Sequence, residues 1–242
     1  LNKRFFGFHP QNDIAKKAAF TLAEVLITLG VIGIVAAMTL PTLIASYNKQ
    51  ECSVRLKKFY STMSNAFNLA TIDYGAMRYW EFPTTQNNGP QMAKFAKTYL
   101  FPYLTGLREC GDENEGASEC FKYGNKIFNQ GLPAVYIFSD GSCFGMNIGG
   151  SNESAGNIHI YYDYNCMKRP NEYGKDVFDF IIRWYKYYDQ YTFKAGGYGV
   201  HDKTTREEFL NYCKNATGNG RGECAGLIQY DGWEIKDDYP WW

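Results

Sequence analysis

The sequence has no net charge, because 25 Lys and Arg residues balance 25 Asp and Glu residues among 242 positions. Domains that bind nucleic acid or anionic surfaces usually carry an excess of basic residues, so the balance argues against both classes at the level of the whole chain. The chain also contains no RNP motif, no Walker motif and no basic helix. We therefore predict no nucleic-acid partner for the isolated globular part of this protein.

Histidine is scarce, and the patterns typical of zinc and catalytic sites are missing. Only His9, His159 and His201 occur, and no two cysteines have C-x-x-C spacing, so a zinc site is disfavoured. Neither G-x-S-x-G nor H-E-x-x-H is present in the sequence. We predict that the protein is not an enzyme and has no cofactor.

Apolar and aromatic residues, in contrast, are abundant, at 45% and 17% of the chain. A chain of this length can bury one sizeable core. Its 20 Tyr and 17 Phe residues favour a β-rich domain over a disordered one. The composition therefore predicts one soluble domain together with a membrane element.

The membrane element lies near the N-terminus. Four basic residues and one acidic residue occupy positions 1–19, and residues 25–45 then contain no charge. As a helix with a rise of about 1.5 Å per residue, this run spans the roughly 30 Å hydrocarbon core of a bilayer. Because basic segments stay on the cytoplasmic side, we predict a single pass through the inner membrane, with the C-terminal part extracytoplasmic.

A single carboxylate, Glu24, stands at the start of this run. A carboxylate at membrane depth costs about 2.5–3.5 kcal/mol on insertion scales, so such a residue usually has a partner or a function. A cleavable signal peptide is the competing interpretation, with Ala36-Ala37 before Pro41 as its small-residue site. That interpretation gives Glu24 no role.

The stretch FTLAEVLITLGVIGIVAAMTLP (20–41) resembles the N-terminal segment of type IV pilins and of the pseudopilins of type II secretion. Counted from Phe20, Glu24 is the fifth residue and Pro41 the 22nd, where the family has its glutamate and its helix-bending proline. The matching positions are Phe20, Thr21, Leu22, Glu24, Gly33, Ala36, Ala37, Leu40 and Pro41.

The resemblance implies a route of processing and assembly. A prepilin peptidase would cut between Ala19 and Phe20 and methylate the new amine, although the family usually has Gly where this chain has Ala19. Glu24 would then pair with the Phe20 amine of a neighbouring subunit, because two charges that are costly in lipid neutralise each other. The implied partners are other pilin-like subunits in a filament, the peptidase, membrane lipid and an inner-membrane assembly platform.

Apolar residues continue at helical spacing after the uncharged run, which predicts one helix from about Thr21 to Tyr74, bent at Pro41. The predicted parts are a cleaved basic leader (1–19), a transmembrane and assembly half of the helix (20–46), an amphipathic half (47–75) and a disulfide-containing globular head (76–242). The apolar stripe of the amphipathic half comprises Cys52, Leu56, Phe59, Met63, Phe67, Ala70 and Tyr74.

Short helices and strands are predicted for the head. We expect an α+β fold in which the long helix packs on an antiparallel β-sheet, the architecture that the pilin resemblance also implies. The predicted elements are helices at 91–100 and 204–213, the latter with a Thr/Glu capping pattern, a hairpin at 134–148 around Asp140-Gly141, and strands at 157–165 and 176–185.

Seven cysteines fit an oxidising compartment, which the membrane topology also implies. Two pairs flank loop-like segments and a third pair lies on adjacent predicted strands, while other pairings of the six remain open. Cys52 is left over on the apolar stripe, where we expect a buried free thiol. The predicted disulfides join Cys110 to Cys120, Cys143 to Cys166 and Cys213 to Cys224.

A polar cluster in YYDYNCMKRPNEYGKD (161–176) offers oxygen ligands that could hold calcium, and some pseudopilins carry a calcium-stabilised loop. The spacing does not fit an EF-hand, and Asx turns in a solvated loop explain the same residues. The candidate ligands are Asp163, Asn165, Asn171 and Asp176.

The function predicted from the sequence is that of a structural subunit, a pilin or pseudopilin, of a type IV pilus or type II secretion filament. One alternative is a minor pilin or tip adhesin, in which exposed C-terminal aromatic residues contact a partner instead of covering the core. Another is a membrane-anchored extracytoplasmic enzyme that uses a pilin-like export segment. The aromatic residues concerned are Trp233, Trp241 and Trp242.

Overall fold

The structure is a computed structural model and describes residues 21–86, 88–110, 134–150, 152–166 and 168–242. Two compact units divide the chain between Ser46 and Tyr47. We call the first the N-terminal unit and the second the head. The described residues have the predicted α+β class, with a long N-terminal helix and a six-stranded antiparallel sheet.

Helix α1 (Leu22–Tyr74) has the predicted length and belongs to both units. From Thr21 to Ser46 none of its residues is buried, and apolar side chains such as Leu26 and Ile32 are more than half exposed. Pro41 lies inside the helix, where its missing N–H removes one helical hydrogen bond. The N-terminal unit therefore presents apolar surface on all sides of one helix.

Within the head, α1 buries one stripe with the predicted spacing of three and four residues. Phe59 at its centre stacks on Tyr162, with ring centroids 4.0 Å apart, and meets Phe180 edge-on at 5.0 Å. Tyr74 was wrongly included in the stripe, because it ends the helix, is 46% exposed and touches only the edge of the core at Tyr99. The buried residues are Cys52, Ser53, Leu56, Phe59, Met63, Ala66, Phe67 and Ala70.

The sheet is a meander in which each described strand pairs with the next along the chain. Alternate residues face α1, as in the buried series Ile158, Ile160 and Tyr162. The predicted hairpin and the two strands after it are confirmed, whereas the sequence patterns do not predict the two edge strands. The strands are β1 (Leu107–Glu109), β2 (Ala134–Phe138), β3 (Cys143–Ile148), β4 (Ala155–Asp163), β5 (Val177–Tyr185) and β6 (Gln190–Ala195).

The C-terminal segment covers part of the outer face of this sheet. A 3₁₀ helix, Gly218–Cys224, lies so close to β5 that a Cβ on Gly222 would be 3.4 Å from the backbone nitrogen of Asp179. The predicted capping box is present at Thr205 and Glu208. The other α-helices of the described residues are α2 (Gly89–Tyr99), α3 (Arg206–Asn215) and α4 (Ala225–Tyr230), of which the first two confirm predicted elements.

Candidate functional site

The start of α1 is held by a capping box that Thr21 and Glu24 form. The N–H and the hydroxyl of Thr21 both donate to Glu24 Oε2 at 2.9 Å, and the Glu24 N–H donates to Thr21 Oγ1 at 3.2 Å. These bonds satisfy amides that have no helical partner, and the carboxylate lies at the positive end of the helix dipole. Sequence reasoning missed this contact, although the pattern Thr-x-x-Glu is its signature.

The threonine hydroxyls that follow Glu24 are satisfied within the helix itself. The hydroxyls of Thr28, Thr39 and Thr42 each donate at 2.9 Å to a backbone carbonyl three or four residues earlier. No charged residue occurs from Val25 to Asn48. This part of α1 is long and apolar enough to cross a membrane. The segment therefore offers one carboxylate on an otherwise apolar and exposed surface.

Some predicted site residues lie outside the described part of the chain. The processing residues Ala19 and Phe20 are among them, so the pairing of Glu24 with a Phe20 amine stays a prediction. The predicted disulfide between Cys110 and Cys120 also falls outside, because Cys120 is not described.

Two other predicted disulfides are present in the head. Cys143 and Cys166 join the start of β3 to the residues that follow β4, with Cα atoms 5.4 Å apart. Cys213 and Cys224 join α3 to the 3₁₀ helix, with Cα atoms 5.6 Å apart. Both separations are ordinary for disulfides. The first bond links two parts of the sheet region, and the second links α3 to the 3₁₀ helix within the C-terminal segment.

Cys52 carries a free and fully buried thiol in the stripe of α1. Its Sγ donates to the carbonyl of Lys175 at a distance of 3.7 Å. Burial raises the pKa of the thiol well above its ordinary value, and the nearby carboxylates of Asp176 and Asp163 raise it further. The thiol is therefore held in its protonated, unreactive form.

The candidate calcium ligands lie near the loop between β4 and β5, but their carboxylates already bind backbone amides. Asp163 Oδ1 accepts from the N–H of Asn165 at 3.0 Å, and Asp176 Oδ2 accepts from the N–H of Asn171 at 2.7 Å. Among the described residues, no group of three or more His, Cys, Asp or Glu residues could hold a metal ion. The carboxylates thus organise the loop, and calcium binding stays a prediction.

A polar cluster that the sequence analysis missed lies on the outer face of the sheet. His159 Nδ1 on β4 is 2.8 Å from Asp179 Oδ2 on β5. Glu223 in the 3₁₀ helix accepts from the hydroxyl of Tyr212 at 2.8 Å and from the N–H of Gly199 at 2.6 Å. The signal that could have revealed this cluster is the carboxylate of Asp179 within the apolar run VFDFII, because a buried carboxylate needs partners.

The same cluster is closely packed and has shifted acid–base properties. Burial lowers the pKa of His159, but the charge of Asp179 and its hydrogen bond outweigh burial, so the net pKa is raised above 6.5. Burial also raises the pKa of Glu223, and the charge of Asp179 adds to this effect. A Cβ on Gly197 would lie 2.4 Å from Asp179 Oδ2 and 2.6 Å from Glu223 Cγ, so a side chain there would displace the two acidic side chains. The cluster fixes the C-terminal segment to the sheet.

Comparison with known proteins places the head in a family. Residues 42–242 match the model of a family of unknown function, DUF6613, and the chain belongs to that family. The matched residues include the whole head and begin just after Pro41, so they leave out the prepilin-like stretch. No curated protein and no solved structure matches the chain.

Proposed function

We propose that the protein is a filament subunit of the pilin or pseudopilin kind, assembled through the N-terminal part of α1. The observation that carries this proposal is the single carboxylate of Glu24 on a helix whose other side chains from Thr21 to Asn48 are uncharged and largely exposed. Lipid would cover this surface before assembly and neighbouring subunits would cover it afterwards. The two disulfides support an oxidising, extracytoplasmic location for the head.

The capping box supports a role for Glu24 at both stages. Before assembly, the carboxylate is satisfied by the N–H and hydroxyl of Thr21, which lowers the cost of holding it in the membrane. Cleavage before Phe20 would leave Thr21 in place, so the cap would survive processing. A neighbouring Phe20 amine, a cation at neutral pH, would then add an ion pair to a carboxylate that is already oriented.

Substitution of Glu24 separates a capping role from an assembly role. Glutamine is accepted at the same position of a capping box but carries no charge. If assembly needs the ion pair, Glu24→Gln and Glu24→Ala both leave the protein in the membrane and both reduce filament yield at least about tenfold, the effect of roughly 1.4 kcal/mol. Filament yield would be measured in sheared and cell-bound fractions.

The matched control is Thr21→Ala, which breaks the cap but keeps the charge. We expect this variant to assemble far better than Glu24→Gln. Normal assembly of Glu24→Gln would contradict the proposal, because capping alone would then explain the carboxylate. Mass spectrometry of the mature N-terminus gives an independent check, and any terminus other than methylated Phe20 would count against prepilin processing.

A further inference from the structure

A cavity of about 520 Å³ opens in the head between α1, the β2–β3 turn, the loop before β5 and the C-terminus. Its size is within the range of small-molecule sites. We call it the Trp pocket, because Trp241 and Trp242 line it together with residues that include Arg55, Lys168 and Arg169. The proposed assembly through the N-terminal part of α1 does not use this pocket.

The charges of the Trp pocket favour an anionic ligand. Four basic residues line it, and the three carboxylates that also line it are already engaged within the protein. Glu51 pairs with Arg55 at 2.9 Å, and Asp176 accepts the N–H of Asn171 at 2.7 Å. Asp140 is partly buried, but hydrogen bonds from Lys58 and Ser142 outweigh the burial and lower its pKa to about 2.

Two of the basic residues stand at the exposed mouth of the pocket. Lys168 and Arg169 are adjacent in the chain, and both are exposed. Ammonium and guanidinium groups are common ligands of a phosphate group, because they combine charge with several hydrogen-bond donors.

The two tryptophans give the pocket an amphipathic rim. The guanidinium carbon of Arg221 lies 4.1 Å from the ring centroid of Trp241. Gly174, at a φ of +84°, lets this ring pack closely, because a Cβ there would be 2.9 Å from Trp241 Cδ1. Trp242 remains 37% exposed. Tryptophan side chains are enriched at the level of lipid headgroups, where one part of the ring is apolar and another is wet.

The position of the pocket in the chain ties it to the membrane surface. Asn48, which lines it, is three residues after Ala45, where the apolar run ends. Three residues reach at most about 11 Å, so this wall stays near the headgroups whatever orientation the head adopts. A tethered site meets a high effective concentration of lipid headgroups.

We propose that the Trp pocket binds the phosphate of an anionic phospholipid, with Lys168 and Arg169 holding the phosphate and Trp242 lying at the headgroup level. This inference rests on the membrane anchoring that the proposed function requires. A bound lipid would fix the head against the membrane while the subunit waits for assembly, and it would be released when the subunit leaves the bilayer.

The test uses the full chain in phospholipid nanodiscs that contain phosphatidylglycerol or only phosphatidylcholine. Lipid brominated near the headgroup quenches nearby tryptophan emission, and the two brominated lipids are compared at equal mole fraction. We expect brominated phosphatidylglycerol to quench more strongly, with the difference lost in Trp242→Phe. Lys168→Gln/Arg169→Gln should weaken the preference for phosphatidylglycerol by about fivefold for each cation removed.

The matched control is Lys57→Gln/Lys186→Gln, which removes two exposed lysines outside the pocket. An equal loss in this control would overturn the proposal, because general surface charge would explain the preference. Equal quenching by the two lipids would also overturn it. Unchanged thermal unfolding of the head shows that each variant is folded.

Two further measurements distinguish the possible reasons for a negative result in the lipid-binding test. Inorganic phosphate, added to phosphatidylcholine nanodiscs at constant ionic strength, should leave the emission of Trp242 unchanged. A change equal to that given by phosphatidylglycerol would assign the pocket to soluble phosphate and overturn the lipid proposal. If the chain fails to insert into bilayers, the proposed anchoring falls together with this inference, whereas insertion without lipid preference overturns this inference alone.

Discussion

The two parts of α1 meet their surroundings in different ways. Up to Ser46 no residue of the helix is buried, and apolar side chains point in every direction. After Tyr47 the same helix buries one stripe against the sheet, and exposed charges such as Lys57 and Lys58 separate the buried positions. A helix that is apolar all round needs lipid or other helices, whereas a striped helix needs only its own sheet. Sequence pattern alone thus assigns two environments to one continuous helix.

The largest expected difference is between truncations of one apolar residue in each part of α1. Phe59 is 3% exposed and packs on Tyr162 and Phe180, so Phe59→Ala should lower the free energy of unfolding of the head by about 3–5 kcal/mol. Leu29 is 61% exposed, and Leu29→Ala should change the same free energy by less than about 0.5 kcal/mol. Denaturant unfolding of the full chain in detergent, followed by near-ultraviolet circular dichroism, gives both values. Similar losses of unfolding free energy in the two variants would contradict the assignment of the two parts of α1 to different environments.

A smaller effect is expected at the two capping boxes, which place the same motif in the two parts of the molecule. Thr205→Ala should cost the head about 1 kcal/mol, because the Glu208 N–H loses its side-chain acceptor. Thr21→Ala removes the equivalent bond to Glu24 but should leave the unfolding of the head unchanged. The two variants are compared in the same unfolding experiment. A loss of head stability in Thr21→Ala would show that the two parts are energetically coupled.

The smallest expected effect is a dependence on pH that only the head shows. The pKa of His159 is raised above 6.5 in the folded protein, so its contribution to stability is complete below pH 6.5 and is lost as the pH rises through the raised value. His159→Gln should flatten this part of the stability–pH profile. Membrane insertion of the N-terminal unit, measured by flotation, should not change over the same range. A profile that keeps its slope in His159→Gln would assign the titration to another group.

The helices and central strands can be predicted from local sequence patterns, whereas the edge strands β1 and β6 and the contacts between distant residues cannot. Period-two alternation is clear in β4, and the cap signal of α3 is complete within four residues. Strand β1 has only three residues, and β6 gains its burial from distant partners such as Tyr60, whose ring lies 5.2 Å from that of Phe193. Such elements are defined by tertiary packing and not by their own periodicity.

The candidate functional residues also fall into two groups, those that local sequence patterns reveal and those that only tertiary packing brings together. Glu24 and Pro41 can be recognised from the sequence because the features of the N-terminal unit depend on residues that are close in sequence. The pairing of His159 with Asp179 depends on the register between β4 and β5, which places two residues twenty positions apart on one face. A one-residue change in register would send one of them to the opposite face, so the sequence alone cannot bring them together.

The rate at which the buried thiol of Cys52 is chemically modified would report how often the head opens. An odd cysteine in an oxidising compartment is open to thiol–disulfide exchange whenever solvent reaches it. Here the Cys52 residue is 0% exposed and its sulfur is hydrogen-bonded to the carbonyl of Lys175, so a reagent reaches it only when α1 separates from the residues packed on it. The rate at which an alkylating agent labels Cys52 would therefore count these separations in living cells. Labelling rates of Cys52, measured on the protein in the membrane and in any assembled form, would compare the stability of the head towards opening in the two states.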